Sequence, residues 1–159
     1  MRRTQAWVWS RLLSASALAV ALPGALPAQT FELAEATIAE VHSALRAGSI
    51  TCRSLVQGYI DRITAYDQTG VRLNAIQHLN ARALQEADAL DAGQRSGGLA
   101  GPLHCVPVLL KDQVETSDMP TTCGSALFRG FTPSRDATIV IKLKSAGAII
   151  LAKTNMGEF

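Results

Sequence analysis

Two short apolar runs, separated by a polar loop and a helical pattern, constrain the fold of this chain more than any other feature. Residues 106–110 and 148–152 each have the length and the aliphatic composition of a buried strand. Between them, a loop rich in Thr, Ser and Gly leads into a helical pattern over residues 136–146, and Gly147 is placed to end that helix. A strand, a crossover with a helix and a second strand predict a parallel α/β unit.

The chain before these runs is predicted to be mainly helical. Residues 31–47 carry apolar side chains at the spacing of an amphipathic helix, and Thr51 is a suitable N-cap for the next helix. A short strand and a third helix follow, before a loop with four glycines. The predicted elements are helices over residues 31–47, from Thr51 to Gly70 and over 81–92, a strand within 71–79, and a loop over 93–102.

The first 28 residues have the layout of a secretory signal peptide. A basic start precedes an apolar run over residues 12–22, and small residues and turn formers follow it. We expect cleavage after Ala28, with Ala25 as the alternative site, and a mature part that covers residues 29–159. The apolar run is too short to span a bilayer, so we expect no stable membrane insertion. The predicted location is secreted or periplasmic, and an uncleaved anchor or an amphipathic lead-in segment is the alternative.

The formal charge of +2 does not indicate a basic surface. Three arginines, Arg2, Arg3 and Arg11, lie within the predicted signal. Without them, 12 basic residues stand against 13 acidic ones, which gives a net charge of −1. The composition therefore argues against nucleic acid as a partner.

The chain has three cysteines, Cys52, Cys105 and Cys123. An odd number in an exported chain leaves at least one thiol that is free, bonded to another chain, or paired with a cysteine beyond residue 159. We interpret all three as small buried apolar residues, with a bridge between Cys105 and Cys123 as an alternative that no pattern supports. Their spacing, and that of the histidines, matches no metal site.

Lys111 ends the first apolar run and is the candidate site residue. Ligand sites in open α/β sheets lie beyond the carboxyl ends of the strands, where Lys111 and residues 153–159 are both expected. In one interpretation the lysine stem covers apolar surface and its ammonium pairs with Asp112. In the other, an enclosed lysine gives up its proton and accepts another or attacks a carbonyl. The nearest downstream serines, Ser117 and Ser125, are assigned to turns.

The sequence around Lys111 resembles the amidase signature family. The likeness covers about residues 31–159 and is most specific around Lys111 and in the last nine residues. It implies an α/β fold with N-terminal helices and the start of a mixed sheet flanked by helices. The stretches that carry it are GPLHCVPVLLKDQVET, MPTTCGSALF and DATIVIKLKSAGAIILAKTNMGEF, with ITCRSLVQGYIDRITAYD and LNAIQHLNARALQEADALD upstream.

This resemblance implies hydrolysis of carboxylic amide C–N bonds by a Ser, cis-Ser, Lys mechanism. Lys111 matches the family's catalytic lysine, which in its neutral form takes a proton from a bridging serine, and that serine activates the nucleophilic serine. No metal or organic cofactor is implied, and the expected substrate is a small-molecule or peptide amide. Up to Phe159 the chain has no GGSSGG-like stretch, so we expect an N-terminal fragment of an amidase domain that is inactive alone.

Three alternatives remain open at this point. Within the family, the subunit that generates ammonia for amidated transfer RNA works in the cytosol, whereas an exported chain favours a stand-alone amidase. Outside amide hydrolysis, the chain could be a non-catalytic exported binding protein that retains part of the fold. Schiff-base chemistry at Lys111 is the third alternative, and it would need a carbonyl substrate.

Overall fold

The computed structural model describes residues 31–157, so the predicted signal over residues 1–28 lies outside the described part. Within that part, no helix is both long enough and apolar enough to cross a membrane. The elements are α1 (Ile38–Ala47), α2 (Cys52–Arg62), a π-helical turn (Ile63–Gln68), β1 (Ile76–Leu79), α3 (Ala83–Gly97), β2 (Pro107–Lys111), a 3₁₀ turn (Ala126–Phe128), α4 (Thr138–Ser145) and β3 (Ile149–Thr154).

The first helix is shorter than the apolar spacing predicts. It begins at Ile38 because Thr37 is its N-cap: Glu40 N donates to Thr37 Oγ1 at 3.2 Å, and Thr37 N donates to the Glu40 carboxylate at 2.8 Å. Its end at Gly48 is as predicted, with the glycine in the left-handed conformation at φ 68°. A local cap, which the spacing of apolar residues does not encode, therefore sets the start of α1.

The second helix is capped by Thr51, as predicted, and is also held from α3. Ser54 N donates to Thr51 Oγ1 at 3.0 Å. In addition, Cys52 N and Arg53 N donate to the carboxylate of Asp91, at 2.7 and 3.0 Å. The negative charge of Asp91 faces the positive end of the α2 dipole, so this contact fixes α2 against α3.

The third helix extends to Gly97, into the segment predicted to be a loop. Gln94 explains the extension. Its Nε2 donates to Leu45 O at 2.9 Å, and its Oε1 accepts a hydrogen bond from His104 Nε2 at 3.2 Å. These tertiary contacts hold the last turn of α3 in place, despite the low helix propensity of its glycines.

The sheet has the strand order β1-β3-β2, and it is mixed. β2 and β3 are parallel, with Lys111 opposite Thr154, which confirms the predicted parallel unit. β1 pairs with β3 in the antiparallel direction. The predicted fold class, α/β with N-terminal helices and a mixed sheet, is therefore confirmed, and β2 lies at one edge of the sheet.

Two apolar cores cover the two faces of the sheet. Side chains of β3 alternate between them, because Ile149 and Leu151 face α1, α2 and α3, whereas Ile150 faces α4. The first core contains Val41, Leu45, Cys52, Leu55, Val56, Ala83, Ala87, Cys105, Ile149 and Leu151. The second contains Leu110, Met119, Val140 and Ile150. The layers are thus α1, α2 and α3 on one face, the sheet in the middle and α4 on the other face. The carboxyl ends of β2 and β3 lie between the two helical layers.

Cys52 and Cys105 are buried, as expected, but they form a disulfide with each other, and Cys123 is exposed, so the interpretation of all three as buried apolar residues needs correction. Their Cα atoms are 5.4 Å apart, and both residues lie in the first core. The alternative pairing of Cys105 with Cys123 is wrong, because Cys123 is an exposed free thiol. The bond joins the start of α2 to the turn before β2, across 53 residues of sequence.

Candidate functional site

The carboxyl ends of β2 and β3 lie side by side and bring two lysines, an aspartate and a tight loop together. Lys111 is the last residue of β2 and Asp112 follows it, while Lys153 lies in β3, directly before its last residue. Residues 120–125 fold back over this end of the sheet. These residues lie beyond the carboxyl ends of parallel strands, which is where open α/β sheets bind their ligands.

Lys111 is exposed in the described part of the chain, which differs from the enclosed lysine that one interpretation required. Its Nζ donates to Asn155 O at 3.0 Å. Asn155 is itself held, because its N donates to Ala75 O at 2.7 Å. Lys111 lies on the face of β2 opposite Leu110, which is in the second core. The amine is therefore exposed on that face, with one backbone acceptor fixing its direction.

The enclosed lysine of this site is Lys153, which the sequence interpretation did not single out. Its side chain has no exposed surface, and Nζ donates to Thr121 Oγ1 at 3.0 Å and to Pro120 O at 3.2 Å. Burial lowers the pKa of Lys153, and the nearby Asp112 carboxylate opposes that change. The sequence did hold a signal for this burial: Lys153 directly follows the apolar run AIILA, and strand β3 continues through it.

Asp112 is the acceptor around which the neighbouring loop folds. Its side chain is fully buried, and Oδ2 accepts hydrogen bonds from Thr122 N and Gly124 N, both at 3.2 Å, and from the Thr122 hydroxyl. Oδ1 lies 3.9 Å from Lys153 Nζ and has no hydrogen-bond partner among the described residues. One carboxylate thus connects β2, the loop and Lys153.

The loop over residues 120–125 is tightly turned and packs on the segment after β3. Cys123 and Gly124 have φ values of 53° and 70°, in the left-handed region that glycine tolerates best. A Cβ added at Gly124 would lie 3.2 Å from Met156 Cγ, which shows how closely the two segments approach. The loop and residues 155–157 therefore form one wall beside Lys111.

The two serines assigned to turns have structural hydrogen bonds. Ser117 donates through its hydroxyl to Asp136 Oδ1 at 2.9 Å, and Ser125 Oγ accepts from Leu127 N at 3.3 Å, capping the 3₁₀ turn. No hydroxyl of residues 31–157 makes a hydrogen bond with Lys111 Nζ. The described part of the site thus presents an exposed amine, without a nucleophile hydrogen-bonded to it.

Two of the three histidines are buried away from the strand ends: His42 lies on α1 and His104 in the turn before β2, whereas His78 lies on β1 opposite Lys153 in the strand register. His104 Nδ1 accepts from Ala100 N at 3.0 Å, and His42 Nε2 contacts His104 O at 3.0 Å. Burial lowers the pKa of His104. In the described part of the chain, no group of three or more His, Cys, Asp or Glu side chains is arranged to hold a metal ion.

Comparison with known proteins identifies relatives of the chain. The family model described as Amidase matches residues 54–159. The chain is 44% identical over 121 residues to a glutamyl-tRNA(Gln) amidotransferase subunit from Rhodopirellula baltica, which is 76% of this chain and 24% of that protein.

The solved structures that the chain resembles are also amidases. The chain is 44% identical to a peptide amidase solved in complex with the competitive inhibitor chymostatin, with a TM-score of 0.77 over 80% of this chain and 26% of that one. It is also 44% identical to the native peptide amidase from Stenotrophomonas maltophilia, with a TM-score of 0.75 over 79% and 26% of the two chains. The chain therefore spans about a quarter of the length of these relatives.

Proposed function

The chain belongs to the amidase family, and we propose that it is the N-terminal part of an exported amide hydrolase in which Lys111 is the base. In this proposal the reaction is hydrolysis of a carboxylic amide C–N bond, and the substrate is a small-molecule or peptide amide. The peptide amidase of Stenotrophomonas maltophilia, 44% identical, supports this substrate class. The observation that carries the proposal is the place of Lys111 at the carboxyl end of β2, beside β3.

The proposed chemistry follows from two properties of the site: Lys111 has an accessible amine, and no described nucleophile is hydrogen-bonded to it. Its amine is accessible and is directed by Asn155 O, so an incoming hydroxyl can approach it. A neutral amine there removes a proton from a bridging serine, which in turn activates the nucleophilic serine. Both serines come from outside the described residues. Residues 31–157 therefore supply the base and the wall of the site, and the rest of the polypeptide supplies the nucleophile.

Uncovered apolar surface supports the view that residues 29–159 are an incomplete domain. β2 is an edge strand, and Leu109 on it is half exposed. Leu127 is 84% exposed, and Phe128, Ile139 and Ile141 are about half exposed. Side chains of this kind normally pack against other elements, and an open edge normally pairs or is covered. We propose that the remainder of the domain packs on these surfaces.

Two features support export over an intracellular role. The layout of residues 1–28 is that of a signal peptide. The disulfide between Cys52 and Cys105 is of the kind that persists in oxidising compartments. We therefore propose a secreted or periplasmic protein in which residues 1–28 are removed.

A role in amide transfer is the second candidate, because the relative from Rhodopirellula baltica has that function in its name. That function would require the chain to work with partner subunits, whereas a hydrolase works alone. Export distinguishes the two candidates, since a chain found in the periplasm or the medium is separated from the cytosolic machinery of translation.

The direct test is amide turnover by the complete polypeptide, obtained by following the reading frame beyond Phe159. We expect ammonia release from peptide amides, and we expect Lys111→Ala to abolish it while the protein stays folded. Lys142→Ala is the matched control, because Lys142 is an exposed lysine on α4. Turnover that survives Lys111→Ala would remove Lys111 from its proposed role. Borohydride trapping of substrate on Lys111 would instead support Schiff-base chemistry.

A further inference from the structure

A buried ion pair joins the ends of the two parallel strands next to Lys111. Asp112 Oδ1 and Lys153 Nζ are 3.9 Å apart, and neither side chain has exposed surface. Asp112 follows Lys111 directly in the chain, and Lys153 lies opposite Leu110 in the strand register. The pair therefore crosses from one strand end to the other, beside the side chain proposed to be the base.

The hydrogen bonds of the pair indicate that it orders the loop beside Lys111. A buried ion pair is by itself weak evidence for stability, because both charges lose their hydration. Here each partner also holds the loop: Lys153 Nζ binds Pro120 O and Thr121 Oγ1, and Asp112 Oδ2 binds Thr122 N and Gly124 N. The loop over residues 120–124 is thus fixed from both strands.

The contact that directs Lys111 depends on the same two strand ends. Lys111 Nζ donates to Asn155 O, and Asn155 lies two residues after Lys153. Asp112 N donates to Thr154 O at 2.9 Å, in the adjacent position. A shift of the end of β3 relative to β2 would therefore move the acceptor that fixes the Lys111 amine.

We propose that Lys153 is a positioning residue for Lys111, acting through Asp112 to hold the ends of β2 and β3 and residues 120–124 in one arrangement. The inference rests on the proposed function, in which Lys111 is the base. A displacement of about 1 Å at a reacting group can lower a rate about a hundredfold. Loss of Lys153 therefore lowers kcat, whereas KM changes little.

The first experiment needs no enzyme activity and uses the 159-residue chain. Reductive methylation with ¹³C-formaldehyde labels accessible lysines, and Lys111→Arg assigns the Lys111 resonance. We expect Lys153→Met to move the chemical shift and the pH titration of this resonance. Lys144→Met is the matched control, because Lys144 is a partly buried lysine whose Nζ likewise pairs with carboxylates, those of Asp118 at 2.8 Å and Asp136 at 2.9 Å. It should leave the Lys111 resonance unchanged.

A second variant covers the case in which Lys153→Met does not fold. In Asp112→Asn, the asparagine has nearly the shape of the aspartate and keeps an oxygen that can accept from Thr122 N and Gly124 N. Its NH₂ group, which is a donor, replaces the carboxylate oxygen that faces Lys153 Nζ. We expect it to move the Lys111 resonance in a chain that circular dichroism shows to be folded. If both variants unfold while Lys144→Met folds, the pair is only structural and the proposal is wrong.

The kinetic experiment uses the complete polypeptide. We expect Lys153→Met to lower kcat about a hundredfold, with KM within about threefold, and Lys144→Met to retain kcat. An unchanged Lys111 resonance in folded Lys153→Met, or a kcat no lower than that of Lys144→Met, would overturn the positioning role. The proposed function fails if the complete polypeptide has no amide turnover, or if Lys111→Ala retains that turnover. In that case the NMR resonance of Lys111 still decides whether Lys153 positions the Lys111 side chain.

Discussion

His104 Nδ1 accepts a hydrogen bond from Ala100 N, and this contact fixes the proton of the buried ring on Nε2. The Nε2–H in turn donates to Gln94 Oε1 at 3.2 Å. Gln94 also binds Leu45 O, so the neutral ring connects α3, the turn before β2 and α1. A second proton on His104 would remove the acceptor of Ala100 N and place a charge in the core.

This arrangement predicts that the folded chain loses stability in mild acid. Burial lowers the pKa of His104, His42 lowers it further, and Asp91 opposes them. The folded state therefore binds the proton more weakly than the unfolded state, whose pKa is 6.5. The stabilisation is present above pH 6.5 and decreases as the pH falls below it.

Thermal unfolding followed from about pH 8 to about pH 5 tests this prediction. His104→Gln should flatten the pH dependence, because its side chain does not titrate. His78→Gln, on β1, is the control and should keep it. If stability depended equally steeply on pH in the wild-type chain and in His104→Gln, His104 would not be the group responsible.

The Asp91 carboxylate is predicted to stabilise the chain as a cap supplied from another helix. Asp91→Ala leaves Cys52 N and Arg53 N without their acceptor, so we expect a loss of about 1–2 kcal/mol in the free energy of unfolding. Asp88→Ala is the control, because Asp88 forms an exposed ion pair with Arg53 and should cost less than about 1 kcal/mol. Urea unfolding measures both variants, and equal losses would argue against the cap.

Reduction of the disulfide is predicted to destabilise the chain strongly. A bond between Cys52 and Cys105 closes a loop of 53 residues, for which chain entropy gives about 4 kcal/mol. We expect one reactive thiol, Cys123, in the folded oxidised chain and three after reduction and unfolding. Cys123→Ser should abolish the reactivity and keep the stability. Three reactive thiols without a reductant would exclude the bond.

The two strand-end lysines are predicted to differ in chemical reactivity. Lys111 and Lys142 are exposed and should react readily with an amine-specific reagent, whereas Lys153 has no exposed surface and should react only when the chain unfolds. Peptide mapping by mass spectrometry after brief labelling, with and without urea, measures each site. Rapid labelling of Lys153 in the folded chain would mean that the strand ends are open.

Local signals in the sequence located most of the elements. Gly48 and Thr51 act at helix ends as predicted, because a left-handed glycine and an N-cap hydroxyl need only neighbouring residues. The two apolar runs are the parallel strands β2 and β3, and the second of them is buried along all but its last residue. The family resemblance, carried by the same stretches, is confirmed by the match over residues 54–159.

Tertiary contacts decided what the local pattern left open. Sequence alone marked Lys111 as the notable lysine, and its catalytic role stays a prediction. Which lysine is enclosed depends on Thr121, which is 32 residues from Lys153 in sequence. The partner of Cys105 and the length of α3 were likewise set by distant residues, Cys52 and Leu45. Periodicity and caps are encoded within a few residues, whereas burial and pairing depend on which distant segments the folded chain brings into contact.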